Sequence, residues 1–132
     1  MALDLPEAPY ILIADDHALF REALSASFTH SDCRITLASD GDKAWDILLE
    51  EMDHLDAVIT DHRMPGLTGL EIVQLLRQTT YRGRIFIYSS ALKADEQRAY
   101  QDLAVDGIVF KECPPPELVR KVLARLSRRP RR

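Results

Sequence analysis

Tyr10-Ile11-Leu12-Ile13-Ala14 is an unbroken run of hydrophobic side chains, and Asp15-Asp16 ends it abruptly. A strand with one wet face alternates polar and apolar residues, so a continuous run reads as a strand covered on both sides. Similar runs recur at Ala57-Val58-Ile59-Thr60, Arg84-Ile85-Phe86-Ile87-Tyr88 and Gly107-Ile108-Val109-Phe110, with a weaker one at Arg34-Ile35-Thr36-Leu37-Ala38. Helical patterns separate them. Residues 18–28 bring Phe20, Ala23, Leu24 and Phe28 to one face, and residues 41–52 do the same with Ala44, Ile47, Leu48 and Met52. Thr68, with Glu71 three residues on, has the offset of a capping box for a helix whose apolar side is Ile72, Leu75 and Leu76. Residues 95–103 predict a short polar helix. Pro115-Pro116 open a last one carrying Leu118, Val119, Val122, Leu123 and Leu126, since a first turn has no use for the missing N–H. Five strand–helix units in this order predict a parallel sheet with helices on both faces.

Such sheets place their chemistry outside the carboxyl ends of the strands. The polar residues there are Asp15 and Asp16 after the first strand, Asp61 after the third, Ser89 and Ser90 after the fourth, and Lys111 after the fifth. Singly they are ordinary: an Asp at a strand end is usually a cap or turn former, a lysine a solvated charge, a Ser-Ser pair a turn. Together they are not. Carboxylates brought close repel one another unless a cation offsets them. Mg2+ takes oxygen ligands, binds through one or two carboxylates and keeps waters for a substrate phosphate. Three carboxylates, the hydroxyls of Ser89 and Ser90 and one lysine therefore predict a phosphate–Mg2+ site, with Mn2+ as a substitute ion. Asp61 is the expected nucleophile, forming an acyl phosphate. Lys111 would pair with one phosphoryl oxygen and Ser89 would donate to another.

A chain of 132 residues suits one domain with a full core. Its net charge of -4 gives no general attraction to nucleic acid. The exception is local: no acidic residue follows Glu117, while Arg120, Lys121, Arg125, Arg128, Arg129, Arg131 and Arg132 are basic. A solvated helix end and tail is the plain reading, since cations suit a helix C-terminus; a tail that contacts a partner, or the start of a linker, is the other. Cys33 and Cys113 lack metal-ligand spacing and read as reduced thiols. The acidic, proline-broken N-terminus is unlike a signal peptide, and no apolar run is long enough to span a bilayer. The cytoplasm, with no membrane contact, is the expected location.

Three stretches, with the spacing between them, resemble the receiver domains of two-component response regulators: Ile11-Leu12-Ile13-Ala14-Asp15-Asp16-His17, Asp61-His62-Arg63-Met64-Pro65-Gly66-Leu67-Thr68-Gly69 and Asp106-Gly107-Ile108-Val109-Phe110-Lys111. The resemblance runs over residues 10–126. It implies a flavodoxin-like, chemotaxis-regulator-like α/β fold, doubly wound, with five parallel strands in the order 2-1-3-4-5. It implies that Asp61 is the phosphoacceptor, Asp16 a direct Mg2+ ligand, and Asp15 the orienter of a metal-bound water. Arg63 would offer the metal its backbone carbonyl, Ser89 would be the switch hydroxyl, and Lys111 the phosphate-pairing lysine. Residues 1–9 would then be a flexible extension, 10–127 the receiver, and 128–132 a basic tail or the beginning of a linker.

The partners so implied are a sensor histidine kinase or phosphotransfer protein, and a homodimer mate or other protein on the face formed by the fourth helix, fifth strand and fifth helix. Arg98, Asp102, Lys121 and Arg125 are candidates for charged contacts there. The stretch Asp16-His17-Ala18-Leu19-Phe20-Arg21-Glu22-Ala23-Leu24 resembles receivers that precede a helix-turn-helix DNA-binding domain, which these residues do not include. The resemblance also implies that the receiver assists its own Mg2+-dependent phosphorylation and dephosphorylation and is not a conventional enzyme.

The chain also departs from the pattern. Ile108 stands where the family carries an aromatic switch residue, Ala104 where a glycine is usual, and Glu112 where proline follows the lysine. Tyr88 and Phe110, the nearby aromatics, are expected in the core. Arg63 is positioned to reach over the acceptor and alter phosphoryl lifetime. Ile108 supports an alternative, a receiver-like interaction module that works without phosphorylation. An Mg2+-dependent phosphatase would lack a general acid at Arg63. A flavin-phosphate binder would be repelled by Asp15-Asp16.

Overall fold

Strand pairing in the computed structural model, which describes residues 8–127, follows the apolar runs. β1 (Tyr10–Ala14) lies between β2 (Arg34–Ala38) and β3 (Ala57–Thr60); β4 (Arg84–Ser89) and β5 (Gly107–Phe110) continue the sheet. All pairs are parallel and the order is β2-β1-β3-β4-β5. Residues 1–7 of the expected extension and the basic tail at 128–132 lie outside the described residues. Pairing of the first two strands starts ahead of Tyr10, because the Pro9 carbonyl accepts the Arg34 N–H at 2.8 Å.

The two-residue period of each strand divides the core. Leu12, Ala14, Val58, Ile85 and Ile87 face α2 (Gly41–Glu51), α3 (Gly69–Leu76) and α4 (Ala94–Asp102). Ile11, Ile13, Ala57, Ile59, Phe86 and Tyr88 face α1 (Ala18–His30) and α5 (Pro115–Ser127). Leu24 and Phe28 bury the inner side of α1, while Ala23, expected beside them, is exposed. On α3, Val73 is fully buried together with Ile72 and Leu76, an addition to the expected apolar side. Tyr88 takes its place in the core; Phe110 stays half-exposed at the end of the edge strand.

Caps set the helix starts near the site. The Asp40 side chain accepts the Lys43 N–H at 2.8 Å. Thr68 and Glu71 form the expected reciprocal box, at 3.1 and 2.9 Å. At the far end of α4 the absent glycine is felt. Ala104 has φ +57°, a left-handed conformation that a Cβ disfavours. The Arg77 guanidinium holds this end by donating to the carbonyls of Leu103 (2.7 Å) and Ala104 (2.9 Å). Ala104→Gly should therefore stabilise the protein by about 0.5–1 kcal/mol, the relieved strain less the extra freedom of the unfolded chain. A denaturant melt checks it, and an unchanged or lower midpoint would contradict it.

Candidate functional site

Main-chain ladder bonds carry past the strand ends and set the register of the site. The Asp15 N–H donates to the Ala38 carbonyl (3.1 Å), Asp61 to Ala14 (2.9 Å) and Lys111 to Ser89 (2.9 Å). Asp15 and Asp61 thus leave adjacent strands. Lys111 starts two strands from Asp61, a gap of roughly 9.5 Å at the usual spacing, and needs a long stem to cross it. That stem passes the Phe20 ring of α1, with Nζ 4.3 Å from the ring centre in a cation–π contact.

Lys111 Nζ ends between two buried carboxylates, 2.8 Å from Asp15 Oδ2 and 2.9 Å from Asp61 Oδ2. The three side chains are 5, 2 and 8% exposed, so water screens this charge arrangement little. The remaining oxygens are occupied as well. Asp15 Oδ1 accepts the His17 N–H at 2.9 Å, and Asp61 Oδ1 accepts the His62 N–H at 2.7 Å. Arg21 of α1 donates to the Asp15 carbonyl at 2.7 Å and ties the helix to the site. Burial pushes the Asp15 carboxyl above its ordinary range, against the hydrogen bond and charge of Lys111 that draw it down. Burial also opposes the charge on Lys111, but the hydrogen bonds and charges of Asp15 and Asp61 outweigh it, and the ammonium holds its proton above the usual lysine range.

Ligand atoms of Asp15, Asp16, His17 and Asp61 lie within 4.8 Å of one another, a span that one ion can bridge. Two of these residues, Asp16 and His17, are exposed, so the cluster opens to solvent on one side. A donor set dominated by carboxylate oxygens fits a hard divalent cation, and the crowding of three like charges is what such a cation relieves.

The other predicted residues are placed differently. Ser89 is buried at the end of β4, its hydroxyl donating to the Ala91 carbonyl at 3.3 Å and not to Asp61. Ser90 is exposed on the loop that follows. The Arg63 side chain does not lie over Asp61. It points to α4, 3.8 Å from Glu96 Oε1, because that carboxylate is the anion within reach. Arg125 is likewise engaged, pairing with Asp106 at 3.1 Å, whereas Arg98, Asp102 and Lys121 are exposed. Ile108 is half-buried against the core on the α4 side of the sheet.

A polar cluster next to Asp61 was not anticipated. His62 is buried; its Nδ1 is 2.6 Å from the Tyr100 hydroxyl and its Nε2 is 3.1 Å from Glu96 Oε2. Burial, with Glu96 and Asp61 close by, keeps the Tyr100 phenol protonated well beyond its ordinary range. Two signals pointed to this cluster. A histidine directly follows Asp61, and Glu96 and Tyr100 share a face of α4 at the i, i+4 spacing.

Residues 11–123 match the family described as the response regulator receiver domain. A response regulator MprA of Mycolicibacterium vanbaalenii is 33% identical over 118 residues, 89% of this chain and 50% of that protein. The chain thus spans about half the length of the curated relative it matches. The chemotaxis response regulator CheY4 of Vibrio cholerae superposes with a TM-score of 0.79 at 22% identity, over 90% of this chain and 98% of that one. A DNA-binding response regulator of the LuxR family from Staphylococcus aureus gives 0.81 at 26% identity, over 89 and 98%. The sheet order, the lysine-bridged carboxylates at its edge and the match over nearly all described residues agree, and the chain belongs to the response regulator receiver domain family.

Proposed function

We propose that Asp61 accepts a phosphoryl group from the phosphohistidine of a sensor kinase or phosphotransfer protein, and that the modified chain presents a changed face to a partner. The observation that carries this reading is Lys111 Nζ bridging Asp15 and Asp61 inside the acidic cluster. In the transfer an Asp61 carboxylate oxygen attacks phosphorus and an O–P bond forms. The bond from phosphorus to the donor breaks, and the leaving imidazole nitrogen keeps the electron pair. Lys111 holds its proton throughout and exchanges a carboxylate contact for a phosphoryl oxygen. Ser89 turns from the Ala91 carbonyl to donate to another. Asp15, Asp16 and Asp61, with the Arg63 carbonyl, would hold Mg2+ or Mn2+, which when bound supplies positive charge against the phosphoryl oxygens. Ser90 would complete the phosphate contacts from the loop after β4.

The chemistry is that of a protein modified once per signal. A C-terminal DNA-binding output in the whole protein belongs to the same proposal; the stretch from Asp16 to Leu24 and the likeness to a regulator described as DNA-binding support it. A cytoplasmic location and an assembly face at α4, β5 and α5 are part of the same proposal. No helix among the described residues is long and apolar enough to cross a membrane.

Intact mass after incubation with acetyl phosphate tests the core of the reading. One phosphoryl group is expected on the wild-type chain with Mg2+, and none without the ion or in Asp61→Asn. The absence of an adduct under conditions that trap even a short-lived acyl phosphate would reject it. The alternative favoured by Ile108, an interaction module independent of phosphorylation, would then stand.

A further inference from the structure

Ile108 has no ring to swing inward, so a signal at Asp61 must reach the helices without an aromatic switch. The structure contains such a route. We infer that His62 is the positioning residue that passes the state of Asp61 to α4, through its hydrogen bonds to Tyr100 and Glu96. The inference rests on Asp61 being the acceptor.

His62 touches the acceptor at one end and the helix at the other. Its main-chain N–H donates to Asp61 Oδ1 at 2.7 Å, and both its ring nitrogens are engaged by α4. A carboxylate only accepts, so Nε2 carries a proton toward Glu96, while Nδ1 shares a hydrogen bond with the Tyr100 hydroxyl. Both nitrogens of the buried ring are thus partnered. The ring also meets the Tyr100 ring edge to face, 5.5 Å between centres.

α4 has few other anchors at this end. Tyr100 is its one fully buried side chain among the described residues, and most of the helix is exposed or half-exposed. Glu96 serves two purposes. Oε2 meets His62, while Oε1 accepts the Lys93 N–H at 2.8 Å and so caps the first turn. A shift of His62 therefore acts on the start of α4 through Glu96 and on its middle through Tyr100. Loop tightness makes the shift hard to absorb locally: the His62 carbonyl accepts the Gly69 N–H at 2.9 Å, at the first turn of α3.

Phosphorylation changes the group that His62 reads. Once one oxygen of Asp61 is esterified, the other is a carbonyl oxygen, which accepts more weakly than a carboxylate. The short bond from the His62 N–H is weakened, or lost if Oδ1 is the esterified atom. Lys111 is drawn toward the phosphoryl group at the same moment. His62 is then free to settle elsewhere, and α4 must follow it or give up one buried and one half-buried hydrogen bond.

The test uses beryllofluoride with Mg2+ as a stable phosphoryl mimic on the whole chain. Native mass reads whether the adduct forms, and hydrogen exchange reads residues 94–102. Tyr100→Phe removes the hydroxyl and keeps the ring; Glu96→Gln keeps an oxygen for the Lys93 cap. His62 is left intact, because its main chain touches the acceptor. In the wild type the adduct should change the exchange of α4. In both variants the adduct should form equally well, with α4 exchange raised about fivefold beforehand, as the loss of one net hydrogen bond gives. The adduct should then produce no further change.

Variants that start looser yet respond by the same factor as the wild type would show a merely structural contact and overturn the inference. So would a wild-type adduct that leaves α4 unchanged. Failure of the wild type to form any adduct would instead remove Asp61 as acceptor, a different result that native mass separates.

Discussion

Lys111→Met is expected to cost about 3 kcal/mol of stability at neutral pH, the lower end of what removing one partner of a buried ion pair costs. The midpoint of thermal unfolding should fall by roughly 10 °C. Methionine fills the path along Phe20 with a stem of similar length, so packing changes little and the loss is electrostatic. Asp15 and Asp61 are left facing each other across the space that held Nζ, 2.8 and 2.9 Å from one oxygen of each. The pH dependence separates this from a packing defect. Burial already holds the Asp15 carboxyl above its ordinary range, and removing Lys111 takes away the contact that opposed burial. The folded variant therefore binds a proton more tightly than its unfolded chain, whose aspartates titrate near about 3.9. Its stability should rise as pH falls through the raised Asp15 value toward that figure, closing part of the gap to wild type. The wild-type lysine has the opposite signature. Its pKa is raised, so its contribution is complete at neutral pH and is lost only as pH climbs through that raised value. Denaturant melts at neutral and mildly acidic pH decide the matter, and an equal deficit at both would point to packing.

Gly69→Ala should both destabilise the fold and slow the modification of Asp61. Gly69 opens α3 directly beneath the acceptor loop. A Cβ there would collide with the Asp61 carbonyl oxygen, and it would lie 2.9 Å from the Tyr100 hydroxyl and 3.1 Å from the His62 Cα. Two of these neighbours are main-chain atoms of the site itself and cannot rotate away. Overpacking of this kind costs about 2 kcal/mol. Its effect on rate is the larger, since an ångström of misplacement in a reacting group is worth on the order of a hundredfold. Gly107→Ala is the control. Its Cβ would meet only the Phe86 ring edge, at 3.1 and 3.3 Å, which can tilt aside. Adduct formation from acetyl phosphate should be slow in the first variant and near wild type in the second. Equal rates in all three proteins would mean that the loop tolerates displacement.

The strands were legible because a sheet covered on both faces leaves no polar position inside Ile11-Leu12-Ile13 or Val58-Ile59. The strand ends followed, and with them Asp15, Asp61 and Lys111, since a parallel sheet delivers its carboxyl ends to one edge. Less of what surrounds them could be read. Arg63 was expected over the acceptor because only its distance along the chain was visible; the structure gives it Glu96, 33 residues later in sequence, as a nearer anion. Ala23 satisfied the helical period and still faces solvent, because a small side chain at the margin of an apolar face carries little burial energy to fix it. The bond between His62 and Tyr100 joins residues 38 apart. Each is unremarkable in its own segment, and only the packing of α4 beside the acceptor loop turns them into a pair.

The lysine that bridges Asp15 and Asp61 arrives on the last strand of the sheet, fifty residues after the acceptor. β2, β1 and β3 bring Asp15 and Asp61 to one edge, whereas the ammonium that joins the two carboxylates comes from beyond the end of β5. The bridge between the two carboxylates is thus completed only by the edge strand of the sheet, the last to be reached along the sequence.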